Sequence, residues 1–196
     1  MAIHKSVFDS FPVLKTKRLT LRKITMLDAE SILQMRANQR VSQFIAREVM
    51  SDLEDAKSLV SKTEQAFTSK NGIGWAGELK GDKSLIGSCG FNRIDYDNLR
   101  AEIGGELSID FWGKHIAVEA VQAIVAFGFS EMNLHAIEAF LSPDNRSAIY
   151  LLEALGFKKE AHFRDRIFFQ EKFSDAAVYT LLKPAFLLMH KNPNRF

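Results

Sequence analysis

The chain has 196 residues, of which 46% are apolar and 26% charged, and its formal net charge is +2. This is the composition of a globular protein long enough to bury a real core, and it excludes a disordered or fibrous chain. No long basic run supports a nucleic-acid groove, and a single cysteine, Cys89, excludes an internal disulfide and suits a reducing compartment.

The first sixteen residues lack the continuous apolar core of a signal peptide, and no stretch has the length and apolarity of a membrane span. The cytoplasm is the expected compartment. RLTLRKI (18–24) alternates apolar and polar residues and reads as a strand. Residues 25–38 carry Leu27, Ile32, Leu33 and Met35 near helical spacing behind a Thr25 cap. Residues 51–69 open with Ser51, Asp52 and further acids, the signature of a second helix start, and end near Asn71-Gly72.

From there the period changes. Residues 73–80, 84–94 and 101–109 read as three strands at hairpin spacing, separated by the Gly81-Asp82 and Asp97-Asn98 turns. Residues 116–129 are apolar nearly all round, with Glu119 and Gln122 on the polar side, so they predict a largely buried helix. A strand (135–141), a capped helix ending at Gly156, and two strands near 157–168 and 176–182 complete the pattern. The aromatic, charged segment 163–175 reads as a loop and 184–196 as a short tail. The expectation is a mixed α/β domain built on one sheet of about seven strands.

The junction between the strand 101–109 and the helix from about 115 has unpartnered N–H groups and a positive dipole end, a seat for a phosphate. An ordinary strand–helix turn anchored by Trp112 has the same local sequence. A wider pattern adds to this segment. AEIGGELSIDFWGKHIAVEA, then LHAIEAFLSPDNRSAIYLLEALGF, then DAAVYTLL resembles the GNAT acetyltransferases, and most closely the RimJ/RimL type that acetylates ribosomal-protein N-termini. The resemblance covers residues 17–183, with 1–16 as an N-terminal extension and 184–196 as a tail. It implies a mostly antiparallel sheet flanked by helices and acetyl-coenzyme A as cosubstrate. It further implies that Leu107, Ser108 and Ile109 pair by backbone with the pantetheine arm. Lys114, His115, Ile116 and Ala117 would cradle the pyrophosphate, and Asn145 would hydrogen-bond the arm. His115 stands where the family pattern has its first glycine. It keeps its main-chain N–H and tolerates a left-handed backbone better than most residues.

Attack of an amine on a thioester needs a route for the amine proton, an oxyanion donor and a proton for the leaving thiolate. Glu106 and Glu102 are the candidate bases, on one strand face unless a bulge at Gly104-Gly105 separates them. An α-amine with its ordinary pKa near ~8 is already partly neutral at pH 7, which lessens the need for a strong base. The family's acidic tyrosine position is Leu152, and Tyr150 lies about 200° around the helix from it. The RimL-type serine position is Ala148, which leaves Ser147 as the candidate acid. Cys89 and His135 read as packing residues, His162 as a candidate for the acceptor side, and Asp175 as an acid that orders its loop. No metal-ligand spacing is present. The acceptor site is expected from residues 25–70 and 163–175. There Phe163, Phe168, Phe169 and Phe173 would form an apolar wall, and Asp165 or Glu171 would meet a cationic amine. A protein N-terminal α-amine is the first expected acceptor and a small amine the second. A non-catalytic coenzyme A-binding or interaction module is the reading from another class. Sheet edges leave room for a homodimer.

Overall fold

The computed structural model describes residues 2–191. A 3-10 turn at Lys5–Phe8 and a two-residue strand β1 (Leu14–Lys15) precede β2 (Leu19–Lys23). Then come α1 (Ala29–Arg36), a single turn α2 (Gln39–Ser42) and α3 (Leu53–Thr68). The middle of the chain is β3 (Ile73–Leu79), β4 (Gly87–Asp95), β5 (Arg100–Leu107), α4 (Ile116–Ser130) and β6 (Ala136–Leu141). It closes with α5 (Arg146–Ala154), β7 (Lys158–Phe169), β8 (Lys172–Leu182) and α6 (Lys183–Lys191). One eight-stranded sheet runs in the order β1-β2-β3-β4-β5-β6-β8-β7. Its neighbours are antiparallel except β5 and β6, which are parallel.

Alternation along the strands feeds two cores. On one face Leu19, Leu21, Ile73, Trp75, Phe91 and Ile103 pack with Ile124, Phe127 and Phe129 of α4. On the other, Ile32 and Met35 of α1 and Ala56 and Val60 of α3 cover Ala76. Trp75 is fully buried among Phe11, Phe91 and Phe127, and its Nε1 donates to the Pro12 carbonyl at 2.7 Å. Residues ahead of β2 are thereby tied to the core: Ile3 and Phe8 are buried in it.

Helix ends follow their local chemistry. Asp52 accepts from the Glu54 N–H at 2.9 Å, and Asn145 Oδ1 accepts from the Ala148 N–H at 3.1 Å. α5 stops at Gly156, φ +87°, where Gly156 N–H bonds to Glu153 O and Phe157 N–H to Leu152 O. That pair of bonds is a glycine-terminated helix end, and the left-handed φ explains the glycine.

Three segments differ from the sequence reading. The expected loop 163–175 is mostly the long β7–β8 hairpin, turned at Gln170 and Glu171, both with positive φ. Such turns usually carry Asn or Gly, so Gln-Glu gave no turn signal. The expected tail begins with α6, whose Pro184 sits in the first turn where its missing N–H costs nothing. The rest of that tail, 192–196, lies outside the described residues. The eighth strand is β1, whose two residues are too few to show a period.

Candidate active site

β5 and β6 pair only at Arg100↔Ala136, Ala101↔Ile137 and Glu102↔Glu138. Beyond that point β5 stays with β4 as far as Leu107, and β6 stays with β8 as far as Leu141. The two strands therefore part and leave a gap lined by residues 103–107 and 139–141. Ser108 N–H bonds to Ile86 O at 2.8 Å on the β4 side, so alternation turns the main-chain groups of Leu107 toward the gap. The Trp112 indole N–H donates to the Leu107 carbonyl at 2.9 Å, Phe111 N–H to Ser108 O, and Trp112 N–H to Ile109 O. Ser108 thus has both main-chain groups engaged within the protein. The N–H groups of Leu107 and Ile109 are the ones left for a ligand.

The chain leaves this strand edge through a tight turn. Gly113 has φ +72° and His115 φ +56°, ψ 22°, the left-handed conformation that the histidine had to adopt in place of a glycine. Lys114 and His115 are exposed, and the first N–H groups of α4, from Ile116 and Ala117, follow directly. Arg18, just ahead of β2, holds the inner side of this turn. Its Nη1 donates to Lys114 O at 2.9 Å, its Nη2 to His115 O at 3.1 Å, and its Nε to Glu119 Oε2 at 2.7 Å. Glu119 Oε1 also accepts from Thr16 Oγ1 and the Arg18 N–H. Burial alone would raise the Glu119 carboxyl. The bonds from Thr16 and Arg18 outweigh it and bring it down to about 2.

The two candidate bases lie on one face of β5, because the bulge falls in β4, between Phe91 and Arg93, and not at Gly104-Gly105. Glu106 is almost fully enclosed and accepts from Arg36 Nε at 2.6 Å and Arg47 Nη2 at 2.5 Å. Both carboxylate oxygens are thereby engaged by guanidiniums, Oε1 by Arg36 and Oε2 by Arg47. Glu102 stands at the last β5–β6 rung, where the strands begin to part. Burial raises its carboxyl, Arg93 opposes that, and Glu138 adds to it.

Asn145 is spent on its cap through Oδ1, which leaves its Nδ2 as a donor. Ser147, in the first turn of α5, is exposed; Leu152 is buried in the core and Tyr150 points to solvent. On the α1–α3 side a cavity of about 270 Å³ is lined by Arg36, Arg47, Glu48, Asp55 and Lys62, among others. The hairpin reaches it: Gln170 Nε2 donates to Glu48 Oε1 at 3.0 Å. The Phe168 and Phe173 rings lie tilted against each other at 4.8 Å and are exposed, as is Phe163, while Phe169 is half-buried. His162 Nε2 lies 2.6 Å from Asp175 Oδ2, and Asp165 N–H donates to Asp175 Oδ1. Cys89 is half-buried as a residue, yet its thiol is enclosed and burial pushes it up to about 12, so it stays protonated. Among the described residues no cluster of His, Cys, Asp or Glu can hold a metal, and no helix is long and apolar enough to cross a membrane.

Sequence analysis singled out none of Thr16, Arg18, Arg36, Arg47, Glu48 and Gln170, although the last four fall in the segments 25–70 and 163–175 expected on the acceptor side. Arg18 and Glu119 are 101 positions apart, and nothing in the local pattern of either announces the other.

A parted sheet with spare amides, leading into a helix start that can seat an anion, is the frame of an acyl-carrier-dependent transferase. The acetyltransferase (GNAT) domain family matches residues 18–158, and the chain belongs to that family. It is 36% identical over 174 residues to YoaA of Bacillus subtilis (strain 168), an uncharacterized N-acetyltransferase; this covers 89% of the chain and 98% of YoaA. A GNAT-family acetyltransferase from Bacillus anthracis superposes with a TM-score of 0.79 at 26% identity, over 88% of this chain and 99% of that one. RimL, the ribosomal L7/L12 alpha-N-protein acetyltransferase solved with coenzyme A, gives a TM-score of 0.80 at 15% identity, over 87% and 98%, a likeness of fold. The protein is an N-acetyltransferase, and enzymes of this family draw their acetyl group from acetyl-coenzyme A.

Proposed function

We propose that the chain acetylates a protein N-terminal α-amine by direct attack on acetyl-coenzyme A held in the gap between β5 and β6. The observation that carries the reading is the end of β5–β6 pairing at Glu102↔Glu138, which frees one edge of β5 just before the left-handed turn. The pantetheine arm accepts from the Leu107 and Ile109 N–H groups, and Asn145 Nδ2 donates from the other wall. Lys114, His115, Ile116 and Ala117 present N–H groups to the pyrophosphate at the positive end of α4. The amine approaches from the α1–α3 side. A gap-facing β5 amide meets the oxyanion. Glu102 takes the amine proton through water, since its carboxyl is raised by burial and it is free of the ion pairs that commit Glu106 to Arg36 and Arg47. Ser147 or water protonates the thiolate.

The charges favour a singly charged acceptor. Arg36, Arg47 and Lys62 balance Glu106, Glu48 and Asp55 around the cavity, so no excess of carboxylates greets a polycation. The exposed Phe163, Phe168 and Phe173 suit the side chains of a polypeptide. A second reading is a small-amine acceptor. It is favoured by the modest 270 Å³ cavity and by 25% identity over 146 residues to the spermidine N(1)-acetyltransferase of Escherichia coli (strain K12), across 74% of the chain. Thiol release from acetyl-coenzyme A over a panel of N-terminal peptides, polyamines, amino sugars and amino acids tests both. The first reading expects peptides to give the highest kcat/KM. Turnover of spermidine alone would replace it with the second. Coenzyme binding without turnover of any acceptor would favour a non-catalytic module.

A further inference from the structure

The pyrophosphate turn faces an electrostatic problem. Glu119 lies in the first turn of α4, where a carboxylate repels an anion seated at the same helix end. The turn also carries carbonyls of its own, Lys114 O and His115 O, which must point away from a phosphate if the N–H groups are to point at it.

Both problems meet in one side chain. Arg18 donates to Lys114 O, His115 O and Glu119 Oε2 with three different nitrogens. It neutralises the carboxylate and takes the carbonyls on the inner side of the turn. Thr16 Oγ1 at 2.5 Å and the Arg18 N–H at 2.7 Å hold the other carboxylate oxygen, Oε1. The left-handed His115 is part of the same structure: its carbonyl is fixed by Arg18, which helps to hold a conformation that a non-glycine residue resists. We propose that Arg18, locked by Glu119 and Thr16, is a positioning residue for coenzyme A, orienting the 113–117 amides toward the pyrophosphate and cancelling the Glu119 charge. This rests on the reading of that turn as the coenzyme's phosphate seat.

The test compares two donors: acetyl-coenzyme A, and S-acetyl-N-acetylcysteamine, which has the thioester and a short amide arm but no phosphate. R18A is expected to raise KM for acetyl-coenzyme A by about tenfold or more, with kcat changed less than about twofold. Its kcat/KM for the short donor should fall by less than about twofold. R18K, which keeps charge but loses the fork, should lie between R18A and wild type. In R18A/E119A, removing the unpaired carboxylate should recover part of the acetyl-coenzyme A KM. Circular dichroism melts check that each variant is folded; if R18A is not, R18K and the double variant carry the comparison. An unchanged KM for acetyl-coenzyme A, or an equal loss with both donors, overturns the positioning role. A wild-type enzyme that shows no preference for acetyl-coenzyme A over the short donor overturns the phosphate-seat reading itself, and this inference with it.

Discussion

The two sides of the β5–β6 gap are built differently. The proposed coenzyme side is main chain: the N–H groups of Leu107 and Ile109, a turn with two positive φ values, and a helix start. Its side chains act mainly by holding that backbone still, as Arg18 and Trp112 do. The proposed acceptor side is made of side chains from distant segments: Arg36 and Arg47 on Glu106, and Gln170 reaching across to Glu48. Main-chain recognition tolerates sequence change, because every residue but proline carries the same N–H. Side-chain recognition changes with each substitution. A common cosubstrate and a variable acceptor call for that division.

The largest expected effect breaks the acceptor side. E106Q leaves Arg36 and Arg47 half-buried without their counter-charge, at a cost of about 3 kcal/mol. A thermal melt should register it, and kcat should fall while coenzyme A affinity, read by calorimetry, stays close to wild type. An equal loss of coenzyme affinity would mean that the two sides are not separable. Next, N145A removes a helix cap worth about 1 kcal/mol and the proposed donor to the arm, so it should lower both melting temperature and coenzyme affinity. Lost stability with unchanged affinity would confine Asn145 to its cap.

His115→Gly sharpens the comparison from the other direction. A glycine relieves the left-handed strain and should raise stability by up to about 1 kcal/mol. If the turn binds through N–H groups alone, coenzyme affinity should change by less than about threefold. A large loss would mean that the imidazole itself touches the phosphates. The smallest effect is acid-dependent. The Glu119 carboxyl is depressed to about 2. The stability it contributes is therefore complete above its ordinary value, near 4.5, and is lost as pH falls toward 2. Melts across that window should slope less steeply in R18A than in wild type.

The strand, turn and helix of the proposed coenzyme side were legible because they are contiguous. A strand, a turn with Gly113, and an apolar helix with Glu119 in its first turn all fall within residues 101–130, and each has its own period or cap. Even the left-handed demand on His115 follows from where it stands in that turn. What the local pattern hides is the long-range partner: Arg18 looks like an ordinary strand-edge cation until the fold sets it against the turn. The acceptor side was legible only as a list of segments. Its hairpin was masked because Gln170-Glu171 is an unusual pair for two positive φ values, so strand residues read as loop. Glu106 read as one of two candidate bases, and nothing near it in sequence announces Arg36 or Arg47. Ser108 falls between Leu107 and Ile109, and only the ladder to Ile86 tells the three apart.

Amide hydrogen exchange with and without coenzyme A tests the central claim most directly. The account predicts new protection at Leu107, Ile109 and residues 114–117, with little change in the 43–52 segment of the acceptor side. Protection that falls instead on the acceptor side, or none along the β5 edge at saturating coenzyme A, would contradict it.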